Sequence, residues 1–118
     1  MRMWGVGCKY LCNQHLLGEH LEMHMFTGTI KKGIKINGYI RKGLVNPPEI
    51  KRRHDQLAEE MIKRGMNHKS PLQEFEQPFI ESPINTEENL KTLSERCPNC
   101  RQRIKGGSNE TPDIINGK

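Results

Sequence analysis

Apolar positions along the chain return with a helical period in three stretches. From Lys9 to Lys32 the residues Cys12, Leu16, Met23, Phe26 and Ile30 recur mostly every three, four or seven places, which predicts one long helix with a buried stripe. Gly33 is its expected stop. Single apolar residues between glycines and cations predict a loop over Ile34 to Asn46. A second helix is expected to open at Pro47-Pro48-Glu49, where proline suits the first turn and an acid complements the helix dipole. Ile50, Leu57, Ala58 and Met61 form its stripe, and Gly65 after Lys63-Arg64 ends it. A loop punctuated by proline follows, as far as Pro83.

The third helix is predicted from a capping box, Asn85 with Glu88 three residues on. Leu90, Leu93 and Cys97 share one side of it, Pro98 kinks or restarts it, and Ile104 is its last core residue. The chain therefore reads as an all-α, compact, single-layer, three-helix domain with long basic loops. Residues 1–105 form the domain, and 106–118, rich in Gly, Ser, Asn and Pro, form a disordered tail.

Composition narrows the class. With 118 residues and 33% hydrophobic content, the chain cannot supply the core of a large α/β enzyme, and no apolar run reaches the ~20 residues of a membrane span. A small intracellular protein with no membrane contact is the expectation. Lys and Arg number 19 against 14 Asp and Glu, a net +5 that suits a polyanionic partner. The cations gather at Lys31, Lys32 and Lys35, at Arg41 and Lys42, at Lys51 to Arg53, and at Lys63, Arg64 and Lys69, and they suit phosphates or plain solvent. Trp4 and Tyr39 are the aromatics placed to stack on a base, with a core role as the alternative for Trp4.

The first helix holds the densest polar cluster. At 100° per residue, His15, Glu19 and Glu22 fall within about 60° of one another on one face, while His20 and His24 form an i, i+4 pair on another. That face suits acid/base chemistry, a hard metal or solvent. His20-Leu21-Glu22-Met23-His24 is not a zinc-protease helix, in which Glu directly follows the first His. Gly18, costly in mid-helix, marks a close approach by a ligand or by a crossing helix. Cys97-Pro98-Asn99-Cys100 has the spacing of half a zinc site. Cys8 and Cys12 are candidates to complete a four-sulfur set, with reduced thiols or a redox pair as alternatives.

Two stretches together resemble the pyrimidine-dimer DNA glycosylase family of the phage endonuclease V type. They are Leu11-Cys12-Asn13-Gln14-His15-Leu16-Leu17-Gly18-Glu19-His20-Leu21-Glu22 and Ala58-Glu59-Glu60-Met61-Ile62-Lys63-Arg64-Gly65-Met66-Asn67-His68-Lys69. The resemblance implies a small three-helix protein that is both glycosylase and abasic-site lyase. It implies the backbone α-amine of Met1 as nucleophile and Glu22 as its acid/base partner, with the two groups within bonding reach. An α-amine titrates at about 7.7–8.0, against about 10.4 for lysine, so more of it is a neutral nucleophile. Arg2 would hold a phosphate, and Gln14, His15, Arg64, Asn67, His68 and Lys69 would lie along the duplex backbone. The implied partner is double-stranded damaged DNA with the lesion flipped out, met by a monomer. The implied catalysis needs no cofactor, and a structural zinc at Cys97 and Cys100 would be additional.

The chain departs from the family's prototype at Leu21 and Met25, where the prototype carries arginines. It also replaces an aromatic C-terminal segment with the Cys-Pro-Asn-Cys helix. Two other classes stay open: a zinc-stapled, non-catalytic nucleic-acid module, and a metal-dependent nuclease built on His15, Glu19 and Glu22.

Overall fold

A computed structural model describes residues 1–106. Its helices are α1 (Asn13–Lys31), α2 (Asn37–Arg41), α3 (Ile50–Lys63), α4 (Thr86–Arg96) and α5 (Pro98–Gly106), with 3-10 turns at Cys8–Tyr10 and Pro47–Glu49. There is no strand among the described residues, and none of their helices is long and apolar enough to cross a membrane. The principal extents, 47 × 30 × 18 Å, describe a slab. The tail expected over 106–118 lies outside the described residues, except Gly106, which ends α5.

Local chemistry sets most boundaries. Cys12, in extended conformation, caps α1 by accepting the His15 amide on its sulfur, so the long helix begins later than Lys9. Gly33 takes φ +78° beyond the C-terminus of α1, a left-handed conformation that costs glycine little. Gly65, at φ +84°, does the same for α3, and the Met66 amide reaches back to the Met61 carbonyl. Asn85 caps α4 by accepting from the Glu88 amide at 2.9 Å. Pro98 restarts the third predicted helix as α5, because proline removes an amide donor and clashes with the preceding turn. The stretch expected as loop contains the five-residue α2, whose Tyr39 packs edge-on against Phe26 at 5.3 Å. That contact, absent from any local pattern, orders it.

The core lies where α1 and α3 pack together. Leu16, Met23 and Phe26 of α1 meet Ile50, Leu57 and Met61 of α3, all buried. The predicted stripes skip a turn in each helix, and polar residues fill those gaps. Glu19 and His20 on α1 are buried, as are Arg53 and His54 on α3. Arg53 donates to Glu19 through Nε (2.7 Å) and Nη2 (2.9 Å), and the His20 and His54 rings meet at 4.6 Å. Burial works against the Arg53 charge, but the Glu19 carboxylate outweighs it and holds Arg53 above its ordinary range.

Glu19 also binds the N-terminal arm. Its Oε2 accepts the Trp4 amide at 3.0 Å and the Gly5 amide at 3.5 Å. The arm is fixed further by Met3 N–H to the Leu44 carbonyl and by Asn89 Nδ2 to the Trp4 carbonyl. Among the described residues nothing outside its own helix turn lies within 4 Å of where a Gly18 Cβ would stand, so none of their helices crosses the backbone there.

Removing one member of the buried pair should cost far more than removing both. Arg53→Ala should lower unfolding free energy by about 3–5 kcal/mol, whereas Glu19→Leu with Arg53→Met should lower it by clearly less, the remaining loss coming from the Trp4 and Gly5 amides. Urea unfolding measures both. The double variant should still show faster amide exchange at Trp4 and Gly5, which lose their acceptor.

Candidate active site and candidate metal centre

The arm's path places its first residues beside α1. Glu22 is half-buried one turn beyond Glu19, and its Oε1 accepts the Arg2 amide at 2.7 Å. The hydrogen bond is thus made by the second backbone nitrogen. Three covalent bonds separate that nitrogen from the Met1 amine, so the amine lies within about 6.5 Å of Oε1. Met1 is half-buried against the core. Glu19 is committed to Arg53 and two amides, which leaves Glu22 as the carboxylate of this face that meets the arm's first residues. A nuclease centre on His15, Glu19 and Glu22 does not form: His15 faces elsewhere and Glu19 is consumed in the core.

The residues expected along DNA fall into two groups. Gln14, Asn67 and Lys69 are exposed, as are Lys32, Lys35, Arg41, Lys42 and Lys63. The others have partners inside the protein. Arg2 lies over the Trp4 ring at 3.7 Å and donates to Asn89 Oδ1 at 2.7 Å. Burial first, then Arg96, lowers its pKa against the opposing pull of Glu22 and Glu19. Arg64 clamps the arm to the end of α3, donating to Glu60 and Asn13 and to the Cys8 and Leu11 carbonyls. Its place in a cluster of cations does not reveal this, because three of the four acceptors, Asn13 and the Cys8 and Leu11 carbonyls, reach it only after folding. His68 packs edge-on against His20 at 4.9 Å. Lys51 and Arg52 pair with Asp55 and Glu49. Of the two aromatics, Trp4 is held between Arg2 and the His15 ring, and Tyr39 against Phe26.

His15 turns instead towards sulfur. Its Nδ1 lies 3.3 Å from Cys12 Sγ and 3.4 Å from Cys100 Sγ, and Cys12 Sγ is 3.9 Å from Cys97 Sγ. A tetrahedral zinc ion, with Zn–S near 2.3 Å and Zn–N near 2.05 Å, sets S···N and S···S separations of about 3.5 and 3.8 Å. Cys12, His15, Cys97 and Cys100 could therefore hold a metal, with their ligand atoms all within 4.8 Å of one another. The fourth candidate ligand is His15, and Cys8 stays outside the set. The missed signal is Cys12-x2-His15: a capping residue and the first turn of α1 point the same way.

Two thiols of the set are shifted in opposite directions. Burial pushes the Cys100 thiol up to about 12, and its thiol neighbours add to the rise. Cys97 is also opposed by burial, yet the Cys100 and Asn99 amides and its thiol neighbours bring it below the ordinary thiol range. All four cysteines are free thiols. Zinc loading should shield Cys12, Cys97 and Cys100 from iodoacetamide and leave Cys8 as the alkylated residue, read by peptide mass spectrometry.

Comparison with known proteins adds the family. A family model described as pyrimidine dimer DNA glycosylase matches residues 1–74, which include the arm, α1 to α3 and both Glu19 and Glu22. No curated protein and no solved structure matches the chain. The match covers well over half of the 118 residues and agrees with the resemblance carried by the α1 and α3 motifs. The chain belongs to the pyrimidine dimer DNA glycosylase family.

Proposed function

We propose that the protein excises damaged pyrimidines from double-stranded DNA and then cleaves the abasic strand, using the Met1 α-amine as nucleophile and Glu22 as acid/base. The observation that carries this reading is the 2.7 Å hydrogen bond from the Arg2 amide to Glu22 Oε1, which keeps the amine and the carboxylate on one side of α1.

The neutral amine attacks the sugar C1′. The bond from C1′ to the base breaks, and its electron pair leaves with the base, which takes up a proton. The C1′–O4′ bond then breaks, the nitrogen lone pair forming the C1′=N bond as O4′ takes up a proton, and this leaves a protonated imine at C1′, a cation that the Glu22 carboxylate stabilises. Glu22 then accepts a proton from C2′, and elimination of the 3′-phosphate breaks the strand. Water finally hydrolyses the imine and returns the amine. The protein groups these steps use are the Met1 amine and the Glu22 carboxylate.

The surroundings of Glu22 suit a flipped nucleotide. Gly18, one turn before it, leaves the backbone uncovered, and Leu17, Leu21 and Met25 form an exposed apolar strip alongside. Apolar side chains at this place favour contact with unstacked bases, while exposed cations such as Lys63 and Lys69 serve phosphates. A monomer carries all of these parts. A second reading, a non-catalytic nucleic-acid module, is favoured by the thiol–imidazole cluster alone.

Borohydride added to the protein on DNA containing cyclobutane dimers or abasic sites should trap a covalent adduct. Acetylating the N-terminus should abolish it, and Glu22→Gln should slow cleavage by about 100-fold or more while leaving binding intact. No adduct on either DNA, with folded protein and a free amine, would leave only the binding module. Gly18→Ala should raise stability by up to about 1 kcal/mol and yet lower turnover, because the methyl group occupies space the DNA needs.

A further inference from the structure

Four imidazoles meet on the side of α1 away from Glu22. His20 and His24 come from α1, His54 from α3, and His68 from the turn after it. Ring centroids of His20 lie 4.9, 4.6 and 4.9 Å from those of His24, His54 and His68, and His24 is 4.8 Å from His54. The Nε2 atoms of His20, His24 and His68 are buried and have no hydrogen-bond partner. Each such atom costs free energy on the order of 1–3 kcal/mol when nothing replaces its water. Three in one place call for a common partner.

We propose that His20, His54 and His68, with His24 at the edge, bind a divalent cation of the zinc type as a second metal site. One ring nitrogen from each of the three lies within 4.8 Å of the others. A tetrahedral ion with Zn–N near 2.05 Å spans about 3.3 Å between ligands, so small ring rotations close the set. Uncharged imidazoles select zinc, nickel or copper over calcium and magnesium, which prefer oxygen.

Two further features fit a cation. His54 Nδ1 is 2.9 Å from Asp55 Oδ1, and its Nε2 is 3.1 Å from the Ser70 carbonyl. A neutral ring has one N–H. With that proton donated to Asp55, the Nε2 lone pair is the one left for an ion. The Asp–His contact is also the arrangement that orients metal-bound imidazoles. The ion would tie the turn carrying Asn67 and Lys69 to both long helices.

Cobalt(II) titration of the whole chain tests the site without reference to catalysis. The parent should take up about two equivalents, and Cys97→Ser with Cys100→Ser should keep about one, lacking the thiolate-to-cobalt band. In that background His68→Gln, a change in a turn rather than a helix, should weaken the remaining site by more than about tenfold. Far-UV circular dichroism checks folding of each variant, and native mass spectrometry of the zinc-loaded parent gives an independent count. One ion in the parent, no cobalt bound by the folded cysteine variant, or unchanged binding after His68→Gln would each overturn the proposal.

Discussion

A single buried ion pair determines where the first residues of this protein go. Glu19 and Arg53 are nearly inaccessible, and each would be expelled from the core without the other. Their bidentate contact fixes the rotation of α1 against α3. The same carboxylate then accepts two amides from the arm, so the interaction that aligns the helices also directs the chain past Glu22. Core packing and the geometry of the candidate active site share one group.

The apolar pattern alone is enough to find the helices that meet here, because Leu16, Met23 and Phe26 on one and Ile50, Leu57 and Met61 on the other keep helical spacing. It could not show that the interruptions in the two stripes face each other. Glu19 and Arg53, like His20 and His54, look like solvent-facing residues until the partner helix is placed. Buried polar residues are legible only in pairs, and the pairing is a tertiary fact. The same reason hid α2, whose five residues are ordered by contact with Phe26 rather than by their own propensity.

The chemistry divides similarly. Cys97-x2-Cys100 carries its meaning locally, since one turn of helix brings the two sulfurs together. Its partners come from the other end of the chain, and sulfur-counting favoured Cys8 over His15. Cysteine spacing said nothing of the imidazole that the cap of α1 turns inward. The cations were countable in sequence, but which of them remain exposed was not. Arg64 has two of its acceptors fixed by the arm, whereas Lys69 stays in solvent. The motif surrounding Glu22 was readable because a helix and a turn both kept their order.

The arm's remaining anchors come from the distant α4–α5 segment. Asn89 holds the Trp4 carbonyl and the Arg2 guanidinium, and Cys100 Sγ accepts the Cys12 amide. At roughly 5–20 residues per second, a ribosome makes residues 1–12 several seconds before residues 89–100. Through that interval α1 and α3 can pair, but the arm lacks its clasp. The arm's full set of anchors therefore exists only once α4 and α5 have been made, and a nascent chain halted short of α4 would carry the motif without the alignment.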